Sequence, residues 1–120
     1  MAKSFRELKV WDRAIELSVL VYQFTDNFPG REIYGLTSQM RRASVSVASN
    51  IAEGYGRATT GEYIQFLGHA RGSNSEIETQ LIIARELEFG NAEKRNESEA
   101  LCKDVGRLLC ALIKSLRAPH

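Results

Sequence analysis

The side chains able to do chemistry in this 120-residue chain are two histidines, two cysteines, and the serines and arginines crowded between residues 41 and 57. A carboxylate di-iron bundle needs a glutamate three residues before each inward histidine, and neither His69 nor His120 has one. His69 has Glu62, Gln65 and Glu76 one or two turns away. That set lacks the cysteine or second histidine zinc prefers, so His69 reads as a solvated histidine on a polar face. Ser44, Ser46 and Ser49 could be nucleophiles only beside a base. No Gly-x-Ser-x-Gly elbow occurs, and hairpin register places neither histidine near them. Gly54-Tyr55-Gly56-Arg57 has the glycines of a phosphate loop without the Walker lysine or a preceding strand. It reads as a helix ending, with Arg57 beside the next helix N-terminus, where an anion could sit. No catalytic residue, metal ligand or cofactor is expected.

Cys102 and Cys110 lie on one helical segment, about 12 Å apart at 1.5 Å rise per residue, too far for a bridge between them. They read as reduced thiols of a cytoplasmic protein. The N-terminus puts Lys3, Arg6, Glu7 and Lys9 ahead of any apolar run, unlike a signal peptide, and no stretch is apolar enough to span a membrane. The net charge of +1 argues against coating nucleic acid by bulk charge and leaves room only for a local basic patch. Residues 61–90 carry the acidity, at net −3, while 31–60 and 91–120 are each +2.

The elements positioning these residues are helical throughout. Ser4 and Glu7 have capping-box spacing, so the first helix should start near Phe5. Its stripe of Val10, Ala14, Leu17, Val21, Phe24 and Phe28 alternates steps of four and three, the repeat of a bundle seam. Trp11, Ile15, Val19 and Tyr22 form a second apolar line, and Phe28-Pro29-Gly30 is the stop. The second helix begins between Glu32 and Thr37 and runs to about Tyr55. Thr59 and Glu62 then form a capping box that opens the third after a very short link, which forces a hairpin. The third helix is expected to bury Tyr63, Phe66, Ala70, Ser73, Ile77, Gln80, Ala84 and Leu87, and to end with Gly90 at its C′ position. Folding the hairpin about Arg57–Ala58 sets Ala43 and Ser44 level with Gly72 and Ser73, a close small-residue crossing. Asn91 or Asn96 caps the fourth helix, whose core line is Leu101, Val105, Leu108 and Leu112. Its cations Lys103, Arg107, Lys114 and Arg117 fall toward the favourable end of the helix dipole. Residues 1–120 thus form one all-α domain, an antiparallel up-down-up-down four-helix bundle.

The second helix carries two apolar stripes, one through Leu36, Met40, Ala43, Val47 and Asn50, the other through Arg41, Val45, Ala48, Ala52 and Tyr55. One seam cannot hide both. With the second line of the first helix, this makes Trp11, Ile15, Val45, Ala48 and Tyr55 the expected interface of a homo-oligomer. Asn50 and Ser73 are expected as buried polar residues that fix register. Arg41, Arg42, Arg57 and Arg71 are the candidate nucleic-acid contacts.

Particular stretches also carry a family likeness: Lys9-Val10-Trp11, Phe28-Pro29, Tyr34-Gly35-Leu36, Gln39-Met40-Arg41-Arg42-Ala43, Ser46 through Gly54 and Ala70-Arg71-Gly72-Ser73. By these the sequence resembles the 23S rRNA intervening-sequence proteins, relatives of the accessory proteins of diversity-generating retroelements. Asn74 stands where members usually carry an apolar residue. The resemblance implies a bundle assembled as a homopentameric ring. It also implies relatives that engage reverse transcriptase and nucleic acid through basic barrels. The expectation is a non-enzymatic ring-forming scaffold that binds RNA or a nucleoprotein. The alternatives are a protein-interaction module with no nucleic-acid role, and an enzyme or ligand-binding bundle.

Overall fold

The computed structural model describes residues 3–119, so His120 lies outside the described residues. Four helices follow one another: α1 (Lys9–Thr25), α2 (Leu36–Tyr55), α3 (Thr60–Glu86) and α4 (Ala92–Arg117). Two 3-10 turns, Phe5–Glu7 and Gly30–Glu32, precede α1 and α2, and no strand occurs among the described residues. Each helix packs on its sequence neighbours, and α4 closes the square against α1. This is the expected four-helix bundle, 50 Å long and about 20 Å across.

The ends of the helices follow their capping chemistry, with one correction at the start. The Ser4–Glu7 box folds the first 3-10 turn rather than α1. Ser4 Oγ accepts the Arg6 N–H at 3.2 Å and Glu7 Oε2 accepts that of Lys3 at 2.8 Å. Leu8 is extended, so the long helix begins a turn later than expected, at Lys9. Thr59 Oγ1 accepts the Glu62 N–H at 3.1 Å and opens α3 as its spacing requires. Asn91, and not Asn96, caps α4 by accepting the Lys94 N–H at 3.0 Å. The end of α3 differs from expectation. Phe89 N–H reaches Ala84 O at 2.9 Å and Glu88 N–H reaches Arg85 O at 3.1 Å, a Schellman motif. Its left-handed C′ residue is Glu88, at φ 59°, with Gly90 left-handed as well two residues on. Gly90 lies under Phe24 and Phe28, the aromatic pair that with Phe89 closes this end of the bundle.

The core confirms α1 and rephases α3 and α4. Val10, Ala14, Leu17, Val21, Phe24 and Phe28 are all buried. On α3 the buried residues are Leu67, Ala70, Asn74, Ile77, Gln80, Leu81 and Ala84, so Ala70, Ile77, Gln80 and Ala84 of the expected line are buried as expected. Of the expected line, Tyr63, Phe66 and Ser73 are only half-buried, and Leu87 is exposed. On α4 the buried line is Ser98, Cys102, Val105, Leu109 and Ile113, one residue round from Leu101, Leu108 and Leu112, which pack at its margin. A polar pair fixes this phase. Asn74 Nδ2 donates to Cys102 O at 2.9 Å, and Cys102 Sγ lies 3.2 Å from Asn74 Oδ1. Both residues are buried, so neither helix can rotate without stranding an amide.

The α2–α3 hairpin is slipped by about a turn from the expected register. Ser73 Oγ meets Ser46 Oγ at 3.0 Å, not Ala43. A Cβ on Gly72 would find open space, whereas one on Gly54 would lie 2.7 Å from Phe66 Cβ. The closest approach is therefore at Gly54, beside the turn, where the absent side chain admits Phe66 and Tyr63.

Candidate functional site

Apart from Ile33, Tyr34, Ile82, Ile83 and Leu87, whose exposed side chains lie elsewhere, two surfaces stand out after the core is accounted for. The first is apolar. On α1, Ile15, Val19 and Tyr22 follow at steps of four and three, and they are 37%, 53% and 42% exposed. On the adjoining helix Val45 is 45% exposed. Just inside this strip the helices are joined by a Ser18–Ser44 hydroxyl pair at 3.1 Å, with Ala48 buried. The strip thus runs along the outer face of α1 beside the α1–α2 seam, and Ile15 and Val19 also border a shallow depression shared with Leu101 of α4.

The other expected interface residues fall elsewhere. Ala48 is buried within its own chain and cannot meet another, because the small residues of this crossing bring α1 directly over it. Trp11 is half-buried against the core, with the Phe5 ring edge-on at 5.2 Å. Tyr55 stands at the hairpin end, edge-on to Tyr63 at 5.9 Å. Burial, then the neighbouring Tyr55, pushes the Tyr63 pKa above its ordinary value. Asn50 and Ser73 are half-buried rather than buried. They meet through Ser46, whose Oγ accepts from Asn50 Nδ2 at 2.9 Å. The register-fixing buried amide is Asn74.

The four candidate arginines do not form one patch. Arg41 clamps α2 to the C-terminal end of α1. Its Nε donates to Thr25 Oγ1 at 2.9 Å, its Nη2 to Asp26 Oδ1 at 2.9 Å, and its guanidinium covers the Tyr22 ring at 4.8 Å. A cation there also meets the negative end of the α1 dipole. Arg42 is exposed. Arg57, at the far end of the bundle, pairs with Glu53 at 2.6 Å and lies over Phe66. Arg71 points from α3 toward α4, on the side of the bundle opposite the α1–α2 seam, with Nη1 4.0 Å from Cys110 Sγ.

Arg71 instead belongs to the second surface, an open groove of about 850 Å³ between α3 and α4. Lys103, Arg107 and Cys110 line it from α4, Glu78 from α3, and Asn74 and Gly106 form its floor. Arg107 pairs with Asp104 one turn back. The sequence did carry a signal for this surface, since Lys103, Arg107, Cys110, Lys114 and Arg117 recur at steps of four, three, four and three. A helix-dipole reading explains their position along α4 but not their shared face.

Neither surface assembles acid–base machinery. Cys102 is held as a thiol by burial, and secondarily by Glu78, which push its pKa to about 12. Cys110 is exposed. His69 is exposed and edge-on to Phe66 at 5.8 Å. No group of three metal-ligating side chains occurs among the described residues. No helix among them is long and apolar enough to cross a membrane.

Comparison with solved structures returns a crystal structure of a protein with unknown function from the S23 ribosomal protein family of Bacteroides thetaiotaomicron. It superposes with a TM-score of 0.78 at 23% identity, covering 88% of this chain and 95% of that one, and supports the fold. Comparison with curated proteins finds no match. Residues 6–111 match the 23S rRNA-intervening sequence protein family, and the chain belongs to it.

Proposed function

We propose that this family member is a non-catalytic helical scaffold that self-associates as a ring and holds RNA or a nucleoprotein. The reading rests on one observation, the strip of Ile15, Val19, Tyr22 and Val45 left exposed on the outer α1–α2 wall. Each of these branched or aromatic side chains would gain about 1–2 kcal/mol on leaving water, and together they favour a second copy over solvent. A homopentamer is the assembly the family resemblance implies. Two free cysteines suit a reducing cytoplasmic setting.

Light scattering of the purified protein at micromolar concentration tests the scaffold, and the expected mass is a multiple of 13.5 kDa. A monomer at that concentration would overturn it. The near-balance of 16 basic and 15 acidic side chains favours a second reading, a protein-interaction module with no nucleic-acid partner. Affinity capture with and without nuclease separates the two. A partner that survives nuclease supports the module, and one lost with the RNA supports the scaffold as proposed.

A further inference from the structure

The overall neutrality of the chain conceals a segregation of charge along the α3–α4 side. Residues 76–99, which cover the C-terminal part of α3 and the start of α4, hold seven acidic and three basic side chains. Residues 100–117 hold four basic and one acidic. The acid, Asp104, is turned toward α1, with Oδ2 3.7 Å from Arg13 Nε, and its other oxygen takes Arg107. What remains is a line of cations, Lys103, Arg107, Lys114 and Arg117, along one edge of α4, with Arg71 facing them from α3. The line is about 21 Å long at the helical rise.

We infer that the α3–α4 groove, from Arg71 and Arg107 away from Glu78, and the edge of α4 beyond it seat the phosphate backbone of a single nucleic-acid strand, with Arg71 on the α3 wall, Lys103 and Arg107 on the α4 wall, and Lys114 and Arg117 carrying the line of cations on past the groove. The inference rests on the RNA reading above and gives it a place on the chain. Two features select this ligand, and a third sets the manner of its recognition. Cations come from both walls, so a single strand lying between them is contacted from two sides, while a duplex resting on the ridges would not be. Guanidinium forks suit phosphate oxygens, and among the described residues Arg71 meets only a weak sulfur acceptor, Cys110 Sγ at 4.0 Å. No aromatic side chain lines the groove, so bases have nothing to stack on, and recognition is by backbone charge without regard to sequence.

The test is fluorescence anisotropy of a 5′-fluorescein-labelled, mixed-sequence 20-nucleotide RNA titrated with the intact protein between 20 and 200 mM NaCl. Five phosphate contacts to a single strand predict a log–log salt slope of about −3.5, falling to about −2 in Lys103→Gln/Arg107→Gln as two contacts are lost. Lys114→Gln/Arg117→Gln, far from the Asn74–Cys102 pair, should lower the slope equally, while Arg42→Gln/Arg57→Gln should keep the wild-type slope. Cys110 provides a footprint, because Cys102 is buried: bound RNA should slow iodoacetamide alkylation of Cys110 several-fold. Wild-type affinity in either α4 variant, or loss confined to Arg42→Gln/Arg57→Gln, overturns the assignment. So does polyglutamate competing as well as RNA at equal charge, which would mark the groove as a site for acidic protein. Light scattering on the same samples keeps the two claims apart. An oligomer that binds no RNA at 20 mM NaCl overturns the groove and leaves self-association standing.

Discussion

The turn after α3 provides a sharp test of the backbone, because two left-handed residues sit two positions apart under opposite constraints. Glu88 adopts φ 59° and Gly90 φ 78°. An L-residue in that region costs about 1–2 kcal/mol, and glycine avoids this while adding about 0.5–1 kcal/mol of unfolded-state entropy. Glu88→Gly should therefore stabilise by about 0.5–1 kcal/mol, raising Tm by roughly 2–6 °C for a domain of this size. Glu88→Ala retains the strain and removes only the carboxylate, so it should stay near wild type. Gly90→Ala adds the same left-handed cost and also sets a Cβ 2.5 Å from Phe24 Cε1. Overpacking adds a further 1–3 kcal/mol or so, for a total of about 2–5. Thermal melts followed by circular dichroism, at one fixed protein concentration so that association contributes equally, compare the three variants. If Glu88→Gly is no more stable than Glu88→Ala, the assignment of strain to that backbone position is wrong.

Three further outcomes follow from the packing. Gly54→Ala, which would press on Phe66, should cost about 1–3 kcal/mol in urea unfolding, while Gly72→Ala, opening into free space, should gain up to about 1 kcal/mol of helix propensity. The reverse order would restore the hairpin register expected from sequence. Arg41→Ala should cost about 1–2 kcal/mol by freeing α2 from Thr25 and Asp26, whereas Asp26→Asn, at a 72% exposed partner, should cost under about 1 kcal/mol. Equal losses would place the clamp in the ion pair alone. For pH, burial, and secondarily Glu78, raise the folded pKa of Cys102 to about 12 from an ordinary 9.0, so the folded state holds its proton longer than the unfolded chain. The stability it contributes is complete below pH 9 and is lost as pH climbs toward 12, with Tyr63 acting in the same direction. Urea midpoints between pH 8 and 11 check this, and Cys102→Ser should flatten the alkaline decline. An unchanged decline in that variant would put its origin elsewhere.

What the sequence made legible is what local chemistry decides. The Thr59–Glu62 box and Asn91 mark real helix starts, and the four-three spacing from Val10 to Phe28 marks a real seam. Where polarity and burial part company, the pattern misleads. Asn74 is polar and buried, while Ile82, Ile83 and Leu87 are apolar and about half exposed, so apolarity alone does not mark the inward face of α3. On α4, Leu101, Leu108 and Leu112 form a line as apolar as Cys102, Leu109 and Ile113. Only the Asn74–Cys102 pair, a contact between distant residues, chooses between them. The arginines of the hairpin failed as a patch for a similar reason. Neighbours in sequence on α2 and α3 face different sides of a square bundle, and Arg41 is held by α1. The α4 cations were visible at their regular spacing, yet a groove needs two walls, and Arg71 joins them only in the folded chain.

The central claim is that the outer α1–α2 wall is covered by another copy, and a solution mass tests it most directly. Wild type and Val19→Glu/Val45→Glu, whose changes lie on half-exposed positions outside the core, should be compared by light scattering at the same micromolar concentration. The account predicts a multiple of 13.5 kDa for the wild type and a folded, helical 13.5 kDa species for the variant. A monomeric wild type, or a variant that keeps the wild-type mass, would contradict it.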